Sequence, residues 1–119
     1  MHTTEDVILH ITTASDWQAA LDQGTYRCNS LDTEGFIHCS KLGQILTVAN
    51  HYYPGQQGLV LLWIAPDRLT ADLRWEPASG DVFPHIYGAL NLDAVLAVSE
   101  FSAGADGTFQ HVNKPAFTR

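Results

Sequence analysis

Positive charge is scarce in this chain. Six Lys and Arg stand against thirteen Asp and Glu, a formal charge of −7 in 119 residues. Such a balance repels a phosphate backbone, and Arg27, Lys41, Arg68, Arg74, Lys114 and Arg119 are scattered, so no long nucleic acid is expected as partner. Cysteine is scarce too. Cys28 and Cys39 have no C-x-x-C spacing and are expected to be free, half-buried thiols, not a disulfide framework. Cys39 follows His38 directly, and neighbours in a strand face opposite ways, so His38 is not placed to activate it. Long apolar runs are missing: the longest, Leu59–Ile64, is strand-sized, well short of the roughly 18 residues a membrane helix needs. The first residues, Met1-His2-Thr3-Thr4-Glu5-Asp6, are polar and acidic, unlike a basic-then-apolar leader, so a cytoplasmic location is expected. There is no H-x-H, no H-E-x-x-H, no internal repeat and no linker, and no metal is expected.

What is present fits one folded domain over residues 1–119, of 13.1 kDa with 45% hydrophobic and 16% charged residues. Residues 7–12 read as a strand. Ser15 and Gln18 look like a capping box opening a helix with Trp17, Ala20 and Leu21 on one face and Gly24 at its end. Residues 26–31 read as a loop or short strand, and 36–39 as a strand. Ser40 is then placed to cap a second helix whose stripe is Leu42, Ile45, Ala49 and Tyr52, ended by Pro54-Gly55. Leu59–Ile64 reads as a central strand buried on both faces. Pro66-Asp67-Arg68-Leu69 is a turn, 73–76 a strand, and Pro77 with Ser79, Gly80 and Asp81 a second turn. Residues 82–87 form a strand in which Pro84 implies an edge or a bulge. Asn91-Leu92-Asp93 leads into a last strand over 94–101, and Gly104, Asp106 and Gly107 turn into a polar tail. Helices come early and strands mostly late, so the class is α+β.

Three histidines share one context: an apolar run, His, then a hydroxyl two positions on. They are His10 with Thr12, His38 with Ser40, and His85 with Tyr87. In a strand, residues two apart share a face, so each segment sets an imidazole beside an OH. Two readings compete. Each histidine could be a satisfied, part-buried side chain. Alternatively the three could line one cleft, because ordinary core would carry Val or Ile and avoid the roughly 1–3 kcal/mol of an unpaired polar group. Glu76, between Trp75 and Pro77, is an exposed strand-end charge or a general acid. Tyr87 with Gly88 points to an aromatic lid and a close backbone approach. His51 fits a helix C-terminus, and His2 and His111 lie in terminal segments. Three imidazoles around zinc, in a metal-dependent hydrolase, are the alternative chemistry.

The runs Ile8-Leu9-His10-Ile11-Thr12, Glu34-Gly35-Phe36-Ile37-His38-Cys39-Ser40 and Phe83-Pro84-His85-Ile86-Tyr87-Gly88 resemble domain-of-unknown-function family 952 over about residues 7 to 98. No activity is established for that family. The resemblance implies an ADP-ribosyltransferase-like fold: split, mostly antiparallel sheets gripping nicotinamide dinucleotide in a cleft, with two helices in the N-terminal half. Within that fold the segments around His10 and His38 are similar to the RNA 2′-phosphotransferase branch. By that likeness His10 and Thr12 would meet one ribose or the nicotinamide, and His38 and Ser40 the second ribose or a phosphate. Ile11 stands where many relatives have glycine. For the third position, a glutamate in true transferases, the candidates are His85, Tyr87 and Glu76, in that order. The expectation is therefore a His-lined cleft (His10, His38, His85) for NAD or an ADP-ribose-type phosphoester, with transferase chemistry. A non-catalytic interaction module is the remaining alternative.

Overall fold

The structure, a computed structural model, describes residues 7–116. Its elements are β1 (Ile8–Thr13), α1 (Ala14–Gln23), β2 (Thr25–Tyr26), α2 (Asn29–Thr33), β3 (Ile37–His38), a 3-10 turn (Leu42–Gln44), α3 (Ile45–Tyr52), β4 (Leu59–Ile64), a 3-10 turn (Pro66–Arg68), β5 (Asp72–Ala78), β6 (Asp81–Tyr87), β7 (Leu90–Asn91), a 3-10 turn (Leu92–Ala94) and β8 (Val95–Phe101). One sheet has the order β1-β4-β8, a second β3-β6-β5, and β2 pairs with β7; every pairing is antiparallel. This is a mixed α+β fold with mostly antiparallel sheets, as its early helices and late strands imply.

The apolar run of β4 is central, as its pattern implies, because both of its faces meet protein. Leu59, Leu61 and Trp63 join Leu9, Ile11, Ile45 and Ala49 in one core. Val60, Leu62 and Ile64 join Ile8, Ala20, Tyr26, Ile37 and Ile86 in a second core between the two large sheets. Each fully buried side chain of this kind contributes about 1.5–3 kcal/mol. The sheets meet at a corner where Leu9 and Ser40 exchange both backbone hydrogen bonds, each 2.8 Å. That corner fixes β3 against β1.

Several local expectations need correction. Thr13, not Ser15, caps α1, its Oγ1 accepting from Asp16 N at 3.0 Å, while Gly24 ends the helix in the left-handed region. A short helix, α2, occupies much of the stretch read as loop or strand. Ser40 caps nothing; its backbone is spent on the corner with Leu9. Gln44 instead closes the turn before α3, accepting from Lys41 N at 2.8 Å and donating to Asp81 and Val82 at 2.9 Å, which latches the β5–β6 hairpin. Leu42 lies in the 3-10 turn, so the buried stripe of α3 steps by four through Ile45 and Ala49 to Tyr53, and Tyr52 is 64% exposed.

Pro84 lies on the central strand of its sheet, not on an edge strand. Its carbonyl takes the Cys39 N–H at 3.1 Å, and a strand residue's N and C=O point to the same side. Its missing donor thus faces the place where β3 has ended and the chain turns to Leu9, a local edge inside the sheet. The chain after β8 is not simply a polar tail. Phe109 is buried, stacks on Phe101 at 4.6 Å, and is clamped by both amide atoms of Asn50 at 2.7 and 2.9 Å.

Candidate functional site

The register of the second sheet sorts its side chains. His38 pairs with His85, Arg74 with His85, Asp72 with Tyr87 and Glu76 with Phe83, so alternate residues of the three strands share one face. Ile37, Leu73 and Ile86 point the other way, into the second core. Strand alternation alone thus puts an apolar wall on the core and a polar, histidine-bearing wall on the groove.

On that wall the His38 and His85 rings approach edge to face, centroids 5.3 Å apart. His85 Nδ1 donates to Glu76 Oε1 at 2.7 Å, and the Tyr87 hydroxyl donates to the same oxygen at 2.6 Å. Those two donors, Tyr87 first, hold the Glu76 carboxyl below its usual range, and the same bond to Glu76 raises the Tyr87 hydroxyl. In the neutral ring the carboxylate also fixes the tautomer, with the proton on Nδ1 and the lone pair on Nε2. His85 is only 8% exposed, yet no buried side-chain nitrogen or oxygen lacks a partner among the described residues. Nε2 has no hydrogen-bond partner among the described residues and is therefore the atom open to the groove. Phe36 stacks on the His85 ring at 4.1 Å and touches His38 at 4.7 Å and Tyr87 at 5.2 Å. His38, 53% exposed, reaches Glu34 through Nε2 at 3.1 Å.

His10 sits differently. On β1 it shares a face with Ile8 and Thr12 and points into the second core. Its Nδ1 lies 2.6 Å from the carbonyl oxygen of His38, which can only accept, so Nδ1 carries the proton. Burial lowers its pKa to about 4, a drop partly countered by that carbonyl, so the ring is neutral and Nε2 is an acceptor. The Tyr26 hydroxyl at 2.7 Å must then donate to Nε2 and take its own hydrogen bond from Thr12, 3.0 Å away. Burial pushes the Tyr26 hydroxyl well above its usual range, so it keeps its proton. The Cys39 thiol, fully buried, is likewise pushed far up and stays protonated.

The structure therefore brings together four of the seven residues singled out from sequence: His38, His85, Glu76 and Tyr87. His10 and Thr12 stand behind them, joined to the pair through the backbone of His38. Ser40 is buried at the sheet corner. All seven line one open groove of about 1430 Å³ that runs on to α3. Phe36, Glu34 and Tyr26 were not anticipated. Phe36 lies two residues before His38, the spacing that shares a strand face, and that signal could have found it. Tyr26, sixteen residues from His10, left no signal. The backbone approach at Gly88 is real but serves packing: with φ at 154°, a Cβ there would lie 2.9 Å from Ala71 Cβ. Among the described residues no three His, Cys, Asp or Glu side chains are placed to hold one metal ion, and none of the helices is long and apolar enough to cross a membrane. Among the described residues the zinc alternative finds no ligand set: His10 has both nitrogens engaged and His85 has committed Nδ1.

These features define an α+β protein with two three-stranded antiparallel sheets, a smaller β2–β7 pair and a carboxylate-held histidine in a groove. Residues 11–98 match the model of the family described as "Protein of unknown function (DUF952)", and the chain belongs to that family. It is similar to the crystal structure of protein CC0527 from Caulobacter crescentus: 34% identity, 87% of this chain and 93% of that one covered, TM-score 0.80. The solution structure of CC0527 gives 34% identity, coverage of 91% and 93%, and a TM-score of 0.77. No curated protein matches this chain.

Proposed function

We propose that the groove binds a small nucleotide-like ligand, NAD or an ADP-ribose-type phosphoester, and carries out acid–base group transfer on it. The observation that carries this reading is the Glu76–His85 pair, with the open Nε2 of His85 beside the ring of His38. The remaining residues fit such a ligand. The groove's volume exceeds the roughly 300–1,000 Å³ of common small-molecule sites, and Phe36 and Tyr87 offer aromatic faces. In this reading His85 Nε2 takes the proton of an acceptor hydroxyl as that oxygen bonds to the ligand's anomeric carbon and the bond from that carbon to nicotinamide or phosphate breaks; the imidazolium so formed is held by Glu76, as a carboxylate orients a catalytic histidine. Nicotinamide leaves neutral and needs no proton, whereas a departing phosphate takes one from His38, whose ring Glu34 steadies. His10, Tyr26 and Thr12 hold the backbone of β3 and hence the placement of His38.

Isothermal titration of the full chain with NAD, ADP-ribose and ADP-ribose 1″-phosphate tests the reading. Binding of at least one is expected, and His38→Ala should abolish it while circular dichroism stays unchanged. Absence of heat from all three with the folded wild-type chain would remove this ligand class.

A further inference from the structure

The groove is unevenly charged. Asp16, Glu34, Glu76 and Asp81 line it, and no Lys or Arg does among the described residues. An anionic ligand would meet repulsion along most of that length. Arg74 stands beside the histidine end of the groove. Arg74 is the cross-strand partner of His85, and so lies on the histidine face of the sheet. Its guanidinium carbon lies 4.1 Å from the centroid of the Tyr87 ring, and Tyr87 itself lines the groove. The side chain is 55% exposed, and its ion pair with the still more exposed Asp72 runs through Nε at 3.2 Å. An exposed pair of this kind is weak and easily exchanged.

From this geometry we infer that Arg74 is the anion subsite of the groove: it takes one phosphate group of the ligand and thereby sets the ligand's direction. A guanidinium stacked on an aromatic ring keeps its planar fork pre-organised, which suits a phosphate better than a lysine ammonium does. The phosphate end then lies at β5 beside Tyr87, and the uncharged end extends past His85 toward His38 and Glu34. Carboxylates along the rest of the groove disfavour an anionic group elsewhere, so the pyrophosphate of the ligand is placed at Arg74. The inference rests on the acid–base reading for what the ligand does, but not for where its charge binds.

Two measurements separate the possibilities. The first follows the Arg74 Nε–H resonance of the wild-type chain by NMR while inorganic phosphate is added. The second is calorimetry of ADP-ribose with wild type, Arg74→Gln, Arg74→Lys and, as a control on the 3-10 turn outside the second sheet, Arg68→Gln. The expected result is a saturable shift of Arg74. Arg74→Gln should weaken ADP-ribose by about tenfold or more, Arg74→Lys should restore part of that loss, and Arg68→Gln should change nothing. If ADP-ribose binds and Arg74→Gln leaves its affinity unchanged, the subsite is wrong and the acid–base reading survives. If phosphate shifts Arg74 but none of the nucleotide ligands binds, the subsite stands and the nucleotide reading falls. If neither phosphate nor ADP-ribose binds wild type, both are overturned.

Discussion

Acidification from pH 7 to pH 4 is expected to remove about 3 kcal/mol of folding stability through His10 alone. The sign follows from the two states. In the unfolded chain a histidine titrates near 6.5; in the folded chain burial holds His10 at about 4. Above 6.5 both forms are neutral and the Thr12–Tyr26–His10–His38 network contributes in full. Between those values the unfolded chain binds a proton that the folded chain refuses, so stability falls by about 1.4 kcal/mol per pH unit. Below about 4 the folded form protonates too and the slope ends. Glu76, whose carboxyl is held low by Tyr87 and His85, adds a loss in the same direction but at lower pH, as its folded form is protonated. Urea unfolding of wild type and His10→Gln at half-unit steps from pH 8 to pH 4 checks this. The wild-type curve should be the steeper of the two between 6.5 and 4. Parallel curves would mean that His10 titrates freely and that its burial has been misread.

The second large effect is catalytic. His85→Ala is expected to slow turnover of the bound ligand, read as release of nicotinamide from NAD or of phosphate from ADP-ribose 1″-phosphate, by roughly 10²–10⁴-fold, the usual contribution of a positioned general base. On the proposed reading its affinity should change much less, since Nε2 would act on the acceptor while Arg74 would meet the charge. Glu76→Gln keeps the shape and removes the charge that holds the imidazolium, so it should fall between wild type and His85→Ala. A turnover rate unaffected by His85→Ala would assign the proton transfer elsewhere.

How much of this could be read from the amino acids depends on the period of each segment. The uninterrupted apolar run at Leu59–Ile64 admitted one placement, the middle of a sheet, and β4 is there. The alternation in β6 showed that His85 and Tyr87 share a face, and the pairing with Glu76 closes the cluster that alternation began. Alternation does not say whether a polar face meets solvent or core. His10-Ile11-Thr12 and His85-Ile86-Tyr87 have the same pattern, yet His10 has both ring nitrogens tied to protein, whereas His85 ties one and leaves Nε2 to the groove. What decides between them is Tyr26, which supplies the hydroxyl that makes a buried imidazole affordable, and the sheet corner at Leu9 and Ser40. Both are long-range contacts with no local trace. Ser40 was misread for the same reason, a good capping residue whose backbone was needed elsewhere. Pro84 shows the converse: the rule that it avoids central strands holds at the level of one missing hydrogen bond, though not at the level of the whole strand.

The most direct measurement is a two-dimensional proton–nitrogen spectrum of the histidine imidazoles, recorded with and without ADP-ribose. Without ligand, His10 should be protonated on Nδ1 alone, and His85 should carry a proton on the Nδ1 that faces Glu76. On saturation the ring signals of His38 and His85 should move together, with the larger change at His85 Nε2, while those of His10 stay in place. Signals of His38 and His85 that remain fixed as ADP-ribose saturates the protein, or a response at His10 alone, would contradict the account.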